Sequence, residues 1–230
     1  MTPVKPSRPR SERARENRRR MLDTARELFV EEGYPATTME RIAAQAGVAV
    51  QTLYYTFRTK AQLLCEVMEA TAAGEPDPAP VTQRPWTAEA MTTRSAHRAL
   101  ALSLEHGTDI FERAAPLWPA LWAASTLDPY VAEYWQQVAT KRRDGMGRLV
   151  ARLAEIGALR DDIDQQRATD LMFVLVSHDT FRGLVQHAEW TLPAYKTWLF
   201  TTLTQQLIRP GKVPRSATSD LTFHHLLIRT

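Results

Sequence analysis

Apolar residues recur three and four positions apart along the chain, the spacing of a helix face. Met21, Leu22, Ala25, Leu28 and Phe29 set this period first and predict a helix from about Ser11 to Glu32, closed by Gly33. The stretch TTME, Thr37 to Glu40, has the pattern of a capping box, and Met39, Ile42, Ala43 and Ala46 form the inner face of a short second helix that Gly47 closes. A third helix, about Val50 to Thr56, follows after a three-residue turn. TKAQ, Thr59 to Gln62, opens a fourth that runs to about Ala73. Two short helices joined by a glycine-containing turn and flanked by longer ones form a helix-turn-helix arrangement, whose second helix fits a DNA major groove.

Proline and glycine punctuate the rest. None of the 14 prolines falls between Ala36 and Glu75, whereas GEPDPAPVTQRP, Gly74 to Pro85, contains four and reads as an extended linker or surface loop. Beyond it, helical patterns cover about Thr93 to Arg113, Leu117 to Ser125, Pro129 to Ile156, Gln165 to His187 and Pro193 to Ile208. Asp128 before Pro129, and Thr191 or Leu192 before Pro193, are the expected caps, and Gly157 ends the long helix at the turn IGALRDDID. The expected class is all-α: an N-terminal helix-turn-helix domain joined by the fourth helix to a larger helical domain.

Charge sharpens this picture. Residues 1–60 carry 12 Lys/Arg against 7 Asp/Glu, and the remainder 17 against 19, so the basic end is the one that should meet a polyanion. The expected division is a basic arm over 1–17, disordered when free, a DNA-binding domain over 18–62, a ligand-binding and dimerisation domain over 63–210 and a tail over 211–230. A basic run of this kind is equally compatible with a solvated tail. With a single cysteine, Cys65, there is no disulfide framework. The longest strongly apolar run, Leu171 to Val176, is far short of the roughly 20 residues of a membrane span. A soluble, cytoplasmic protein without a membrane partner is expected.

LDTARELFVEEGYPATTMERIAAQAGVAVQTLYYTFRTKAQLL, Leu22 to Leu64, resembles the DNA-binding domain of TetR-type transcriptional repressors. Its ordered signature runs through Ala25, Leu28 and Phe29, Gly33 and Tyr34, Thr37 and Thr38, Ile42 and Ala43, Ala46 to Val48, Thr52 to Tyr54, then Phe57 and Lys60. The resemblance covers roughly a quarter of the chain. It implies a homodimeric repressor on a (pseudo)palindromic double-stranded operator, released by a small effector, with Thr38, Tyr55 and Lys60 at phosphates and Val50, Gln51 and Thr52 at bases. Hydroxyls and an ammonium suit phosphate oxygens, Gln51 suits adenine, and Val50 or a threonine methyl suits a thymine methyl. Tyr54, also placed among the DNA-binding residues, is expected to pack beneath the recognition helix with Leu53 and Phe57, because adjacent helical residues diverge by about 100°. Many family members have serine at Ala49 and a polar or basic residue at Val50. Ala49 has no oxygen with which to cap the recognition helix, which shifts phosphate affinity toward Arg8 to Arg20 and a steep salt dependence.

The last two helices resemble the pair through which the family dimerises. Val174, His178, Phe181, Arg182 and Val185 on one, and Trp198, Leu199 and Thr202 on the other, are the candidate interface. For an apolar or aromatic effector the candidates are His106, Phe111, Trp118, Trp122, Tyr134, Trp135 and His178, with His97, Asp109 and Asp179 as further polar positions; each aromatic is as readily core. Trp118 and Trp122, four apart, share a helix face in this reading. No cofactor and no metal site is expected, since His224 and His225 alone are a weak pair. Two rival classes remain: an enzyme, disfavoured because Cys65 sits among apolar neighbours, and a helical adaptor, disfavoured by the capping patterns and the basic N-terminus.

Overall fold

A computed structural model describes residues 10–74 and 80–210 of the 230-residue chain. Among these residues every regular element is helical, with one isolated antiparallel bridge from Leu159 to Ile208 and no strand. The all-α class read from the apolar period holds. Expectations for Lys5 and Arg8, for the linker over 75–79 and for the tail with His224 and His225 fall outside the described residues.

Two compact units share the chain: Met1–Pro78 with Pro116–Gln136, and Ala79–Ala115 with Gln137–Thr230. This division differs from the expected boundary at residues 62 and 63. The fourth helix lies wholly in the first unit, and the chain returns to that unit after Ala115.

The first unit contains α1 (Arg10–Glu31), α2 (Gly33–Ala36), α3 (Met39–Ala46), α4 (Val50–Phe57), α5 (Lys60–Ala73) and α8 (Trp118–Leu127). Its core joins Leu22, Leu28 and Phe29 of α1, Ile42 of α3, Leu53 and Phe57 of α4, and Leu63, Leu64 and Val67 of α5, all buried. Two expectations change here. Residues 10–17 are helical and continuous with α1, in line with the helix expected from about Ser11 and against the disordered arm expected over 1–17, because no glycine or proline interrupts the run after Arg10. Secondly, the cap of α3 is Thr38, whose hydroxyl accepts from the Arg41 amide at 3.2 Å. Thr37, fully buried, instead donates to the carbonyls of Leu28 at 3.2 Å and Gly33 at 2.8 Å, fixing the short α2 that the sequence pattern did not show. Gly47, at φ +64°, closes α3 in the left-handed region where L side chains are strained.

The second unit holds α6 (Pro85–Thr92), α7 (Ala96–Ala114), most of α9 (Pro129–Glu155), α10 (Gln165–Leu175), α11 (His178–Phe181), a π-helical stretch Arg182–His187 and α12 (Leu192–Leu207). Helix α6 starts at the last residue of the expected linker and fills the stretch before Thr93, where no helix was expected. Pro85 occupies its first turn, Trp86 stacks on His106 at 4.8 Å, and Arg98 donates to Glu89 at 2.7 Å. The helix expected over Gln165 to His187 is broken at Val176 and Ser177. Arg142 donates to the Val176 carbonyl at 2.5 Å, and Ser177 starts a new helix by accepting from the Thr180 amide at 3.2 Å.

Candidate nucleic-acid interface

Helix α4 is anchored by Leu53 and Phe57, one turn apart and both buried, so the remaining faces of an eight-residue helix point outward. Gln51 and Thr52 are exposed, Val50 is half-buried, and Tyr55 is 89% exposed. Tyr54 does not pack beneath the helix. It is 43% exposed and its hydroxyl lies 3.5 Å from Glu40 Oε1, because the buried stripe is centred on Leu53 and Phe57 and leaves Tyr54 at its margin. Ala49 caps α4 in extended backbone with no side-chain bond. Thr38 is exposed at the start of α3.

The Lys60 side chain is turned inward. Its ammonium donates to the Tyr34 carbonyl at 2.8 Å and the Thr37 carbonyl at 2.9 Å, and lies 4.2 Å from the centre of the Tyr34 ring. Burial pulls its pKa below the ordinary lysine value. Arg18, counted with the basic arm, is similarly occupied: it pairs with Glu66 at 2.5 Å and covers the Phe57 ring at 5.2 Å. Arg13, Arg15, Arg19 and Arg20 are exposed on α1. One exposed cation that the sequence reading did not single out is Arg58, at φ +59° immediately after α4; its signal was its place at the end of the recognition helix.

Residues 21–67 match the family described as bacterial regulatory proteins, tetR family. Over these residues the chain is similar to the DNA-binding domain of the TetR-type transcriptional regulators. Its relatives include YdeS of Bacillus subtilis, an uncharacterized HTH-type transcriptional regulator that is 28% identical over 154 residues, 66% of this chain and 72% of that protein. TtgW of Pseudomonas putida, also an uncharacterized HTH-type transcriptional regulator, is 40% identical over 55 residues, covering 24% of this chain and 41% of its own length. Among solved structures, the SmeT–triclosan complex superposes with a TM-score of 0.67 at 21% identity over 87% of this chain and 96% of that one. NalD, the secondary repressor of the MexAB-OprM multidrug efflux pump in Pseudomonas aeruginosa, gives 0.63 at 18% over 86% and 100%. At these identities the structural likeness speaks to the fold.

The other candidate residues divide by unit. Trp118, Trp122, Tyr134 and Trp135 belong to the first, His106, Phe111 and His178 to the second. Trp118 and Trp122 do not share an environment: Trp118 is buried, whereas Trp122 is 62% exposed. Tyr134 is half-buried, and burial raises its pKa strongly. In the second unit Phe111 lies 6.3 Å from Phe181, which meets Tyr195 edge-on at 5.4 Å. Phe181 and Leu199, expected at a dimer interface, are core residues, because α12 turns its Tyr195–Leu199–Leu203 stripe inward. Val174 is 63% exposed, Arg182 is exposed, and His178, Val185, Trp198 and Thr202 are half-buried.

Among the described residues no helix is long and apolar enough to cross a membrane, and no group of three or more His, Cys, Asp or Glu side chains gathers where a metal could be held. Cys65 is buried and its thiol is pushed up to about 12 by desolvation, which removes the thiolate that nucleophilic chemistry needs.

Proposed function

We propose that this regulator binds a (pseudo)palindromic duplex operator as a homodimer and releases it when a small apolar or aromatic effector binds. The observation that carries the DNA reading is the recognition helix: Gln51, Thr52 and Tyr55 stand outward over a rigid Leu53–Phe57 anchor. Gln51 suits an adenine edge, Val50 and the Thr52 methyl suit thymine methyls, and the Tyr55 hydroxyl and Thr38 suit phosphates. Two such helices reading one symmetric site require a two-fold dimer. Exposed Val174 and Leu171 on α10 and exposed Trp190 before α12 support the last helices as the contact. An aromatic effector is the class exemplified by the triclosan complex of SmeT.

Control then follows linkage. An effector weakens operator affinity only by the ratio of its affinities for the free and DNA-bound forms. A mobility shift with DNA flanking the gene, repeated with duplexes selected from random sequence, tests the reading. Specific retention of one symmetric sequence supports it, and uniform binding of all duplexes rejects it. Sedimentation at micromolar concentration should give a dimer.

A further inference from the structure

Two features meet at the exit of the recognition helix. Arg58, a non-glycine residue, is held at φ +59° and ψ −54°, and the Thr59 amide reaches back to the Phe57 carbonyl at 2.6 Å. That geometry is a γ-turn of the rare, strained kind, and such strain persists only where the surroundings over-determine it. The next residue is Lys60, first in α5, whose ammonium bonds the carbonyls of Tyr34 and Thr37 from above the Tyr34 ring. Thr37 in turn is tied to Leu28 and Gly33 by its hydroxyl, and Thr38 caps α3. One cation thus joins the residue after the strained turn to the segment entering α3, across 26 residues of sequence.

We infer that Lys60 is a positioning residue for DNA recognition: it acts through α4 by locking the α4–α5 turn to the entrance of α3, so that the two helices of the motif keep one fixed angle. This rests on the operator reading above. Two of its three N–H groups are spent on the backbone carbonyls of Tyr34 and Thr37. The aliphatic stem is short enough to place the ammonium over the ring, whereas an arginine's planar fork has a different length and hydrogen-bond geometry.

The test uses the full chain and a duplex selected by the wild type from random sequence. Lys60→Met keeps the stem and removes the donors; Lys60→Arg keeps the charge and alters the geometry. Both variants should lose about tenfold or more in affinity, while the slope of log affinity against log salt stays at the wild-type value. A lysine serving as a phosphate contact gives the opposite pattern. Lys60→Met then lowers the slope by about 0.9 per protomer, and Lys60→Arg binds nearly as the wild type. Wild-type affinity in both variants also overturns the inference. Independently of DNA, amide exchange at Arg41 and Ile42 should speed up in Lys60→Met, since both amides bond to Thr38. A wild type that selects no duplex overturns the operator reading alone, and unchanged exchange at those amides overturns the brace.

Discussion

Lys196 on α12 donates its ammonium to Glu105 on α7 at 2.8 Å, and the same ammonium reaches Asp109, one turn further on, at 2.7 Å. Lys196 is only 8% exposed, so the second unit is closed by a cation it has largely removed from water. Burial lowers its pKa, but the bonds to Asp109 and Glu105 outweigh that and leave it raised. Lys196→Met should strand two carboxylates beside an apolar chain. The expected loss is about 2–3 kcal/mol, below the ~3–5 of a fully buried pair because both carboxylates keep some contact with water. Urea unfolding checks this: the midpoint should fall with an unchanged m-value. A variant as stable as the wild type would show that the pair contributes nothing beyond its own desolvation.

Acid should destabilise the fold through its histidines. His97, His106 and His178 are half-buried, and burial pulls each below the ordinary 6.5. The unfolded chain therefore takes up these protons at a higher pH than the folded one, so their contribution to stability is full above 6.5 and is lost as the pH falls through the lowered values. The urea midpoint should be lower at about pH 5.5 than at about pH 7.5, a range in which most carboxylates stay ionised. Replacing His97 and His106 by Gln should shrink that difference. An equal difference in the double variant would assign it elsewhere.

The uncapped start of α4 offers a gain. Ala49 already has the extended backbone of an N-cap, φ −67° and ψ 141°, and lacks only the oxygen. Ala49→Ser should stabilise the chain by about 1 kcal/mol, read as a higher unfolding midpoint, by accepting from an amide of the first turn. If the midpoint does not move, water already satisfies those amides as well as a hydroxyl would.

Tyr55 gives the sharpest separation of folding from binding. Its ring is almost wholly in water, so Tyr55→Phe should change folding stability by less than about 0.5 kcal/mol. On a selected operator the loss of one hydroxyl-to-phosphate bond should cost about 1.5 kcal/mol per protomer, or roughly tenfold. Equal operator affinity would remove Tyr55 from the interface.

Helices α3, α4 and α5 were legible in the sequence because their signals are local. Periodic apolar residues, Gly47 and the cap at Thr59 each act within one or two turns. The features that escaped are settled by partners far along the chain. Arg142 reaches the Val176 carbonyl 34 residues away and divides what the apolar period draws as one helix. Trp86 and His106, on different helices, stabilise α6 beside a proline-rich stretch. At the candidate interface the outward residues of α4 followed from its period, but the inward turn of Lys60 did not, since a lysine at a helix start is equally suited to solvent, phosphate or carbonyls. Tyr54 failed for a subtler reason: on so short a helix the Leu53–Phe57 stripe leaves room for two anchors and no third.

The buried thiol has a practical side. A maleimide reacts with thiolate, and a thiol buried on α5 and pushed up to about 12 stays almost wholly protonated at neutral pH. Cys65 is also the one cysteine in the sequence. The native chain is therefore ready for single-dye work: a cysteine placed at an exposed position such as Thr197 can take one fluorophore per chain while Cys65 stays silent, with no need to mutate the core.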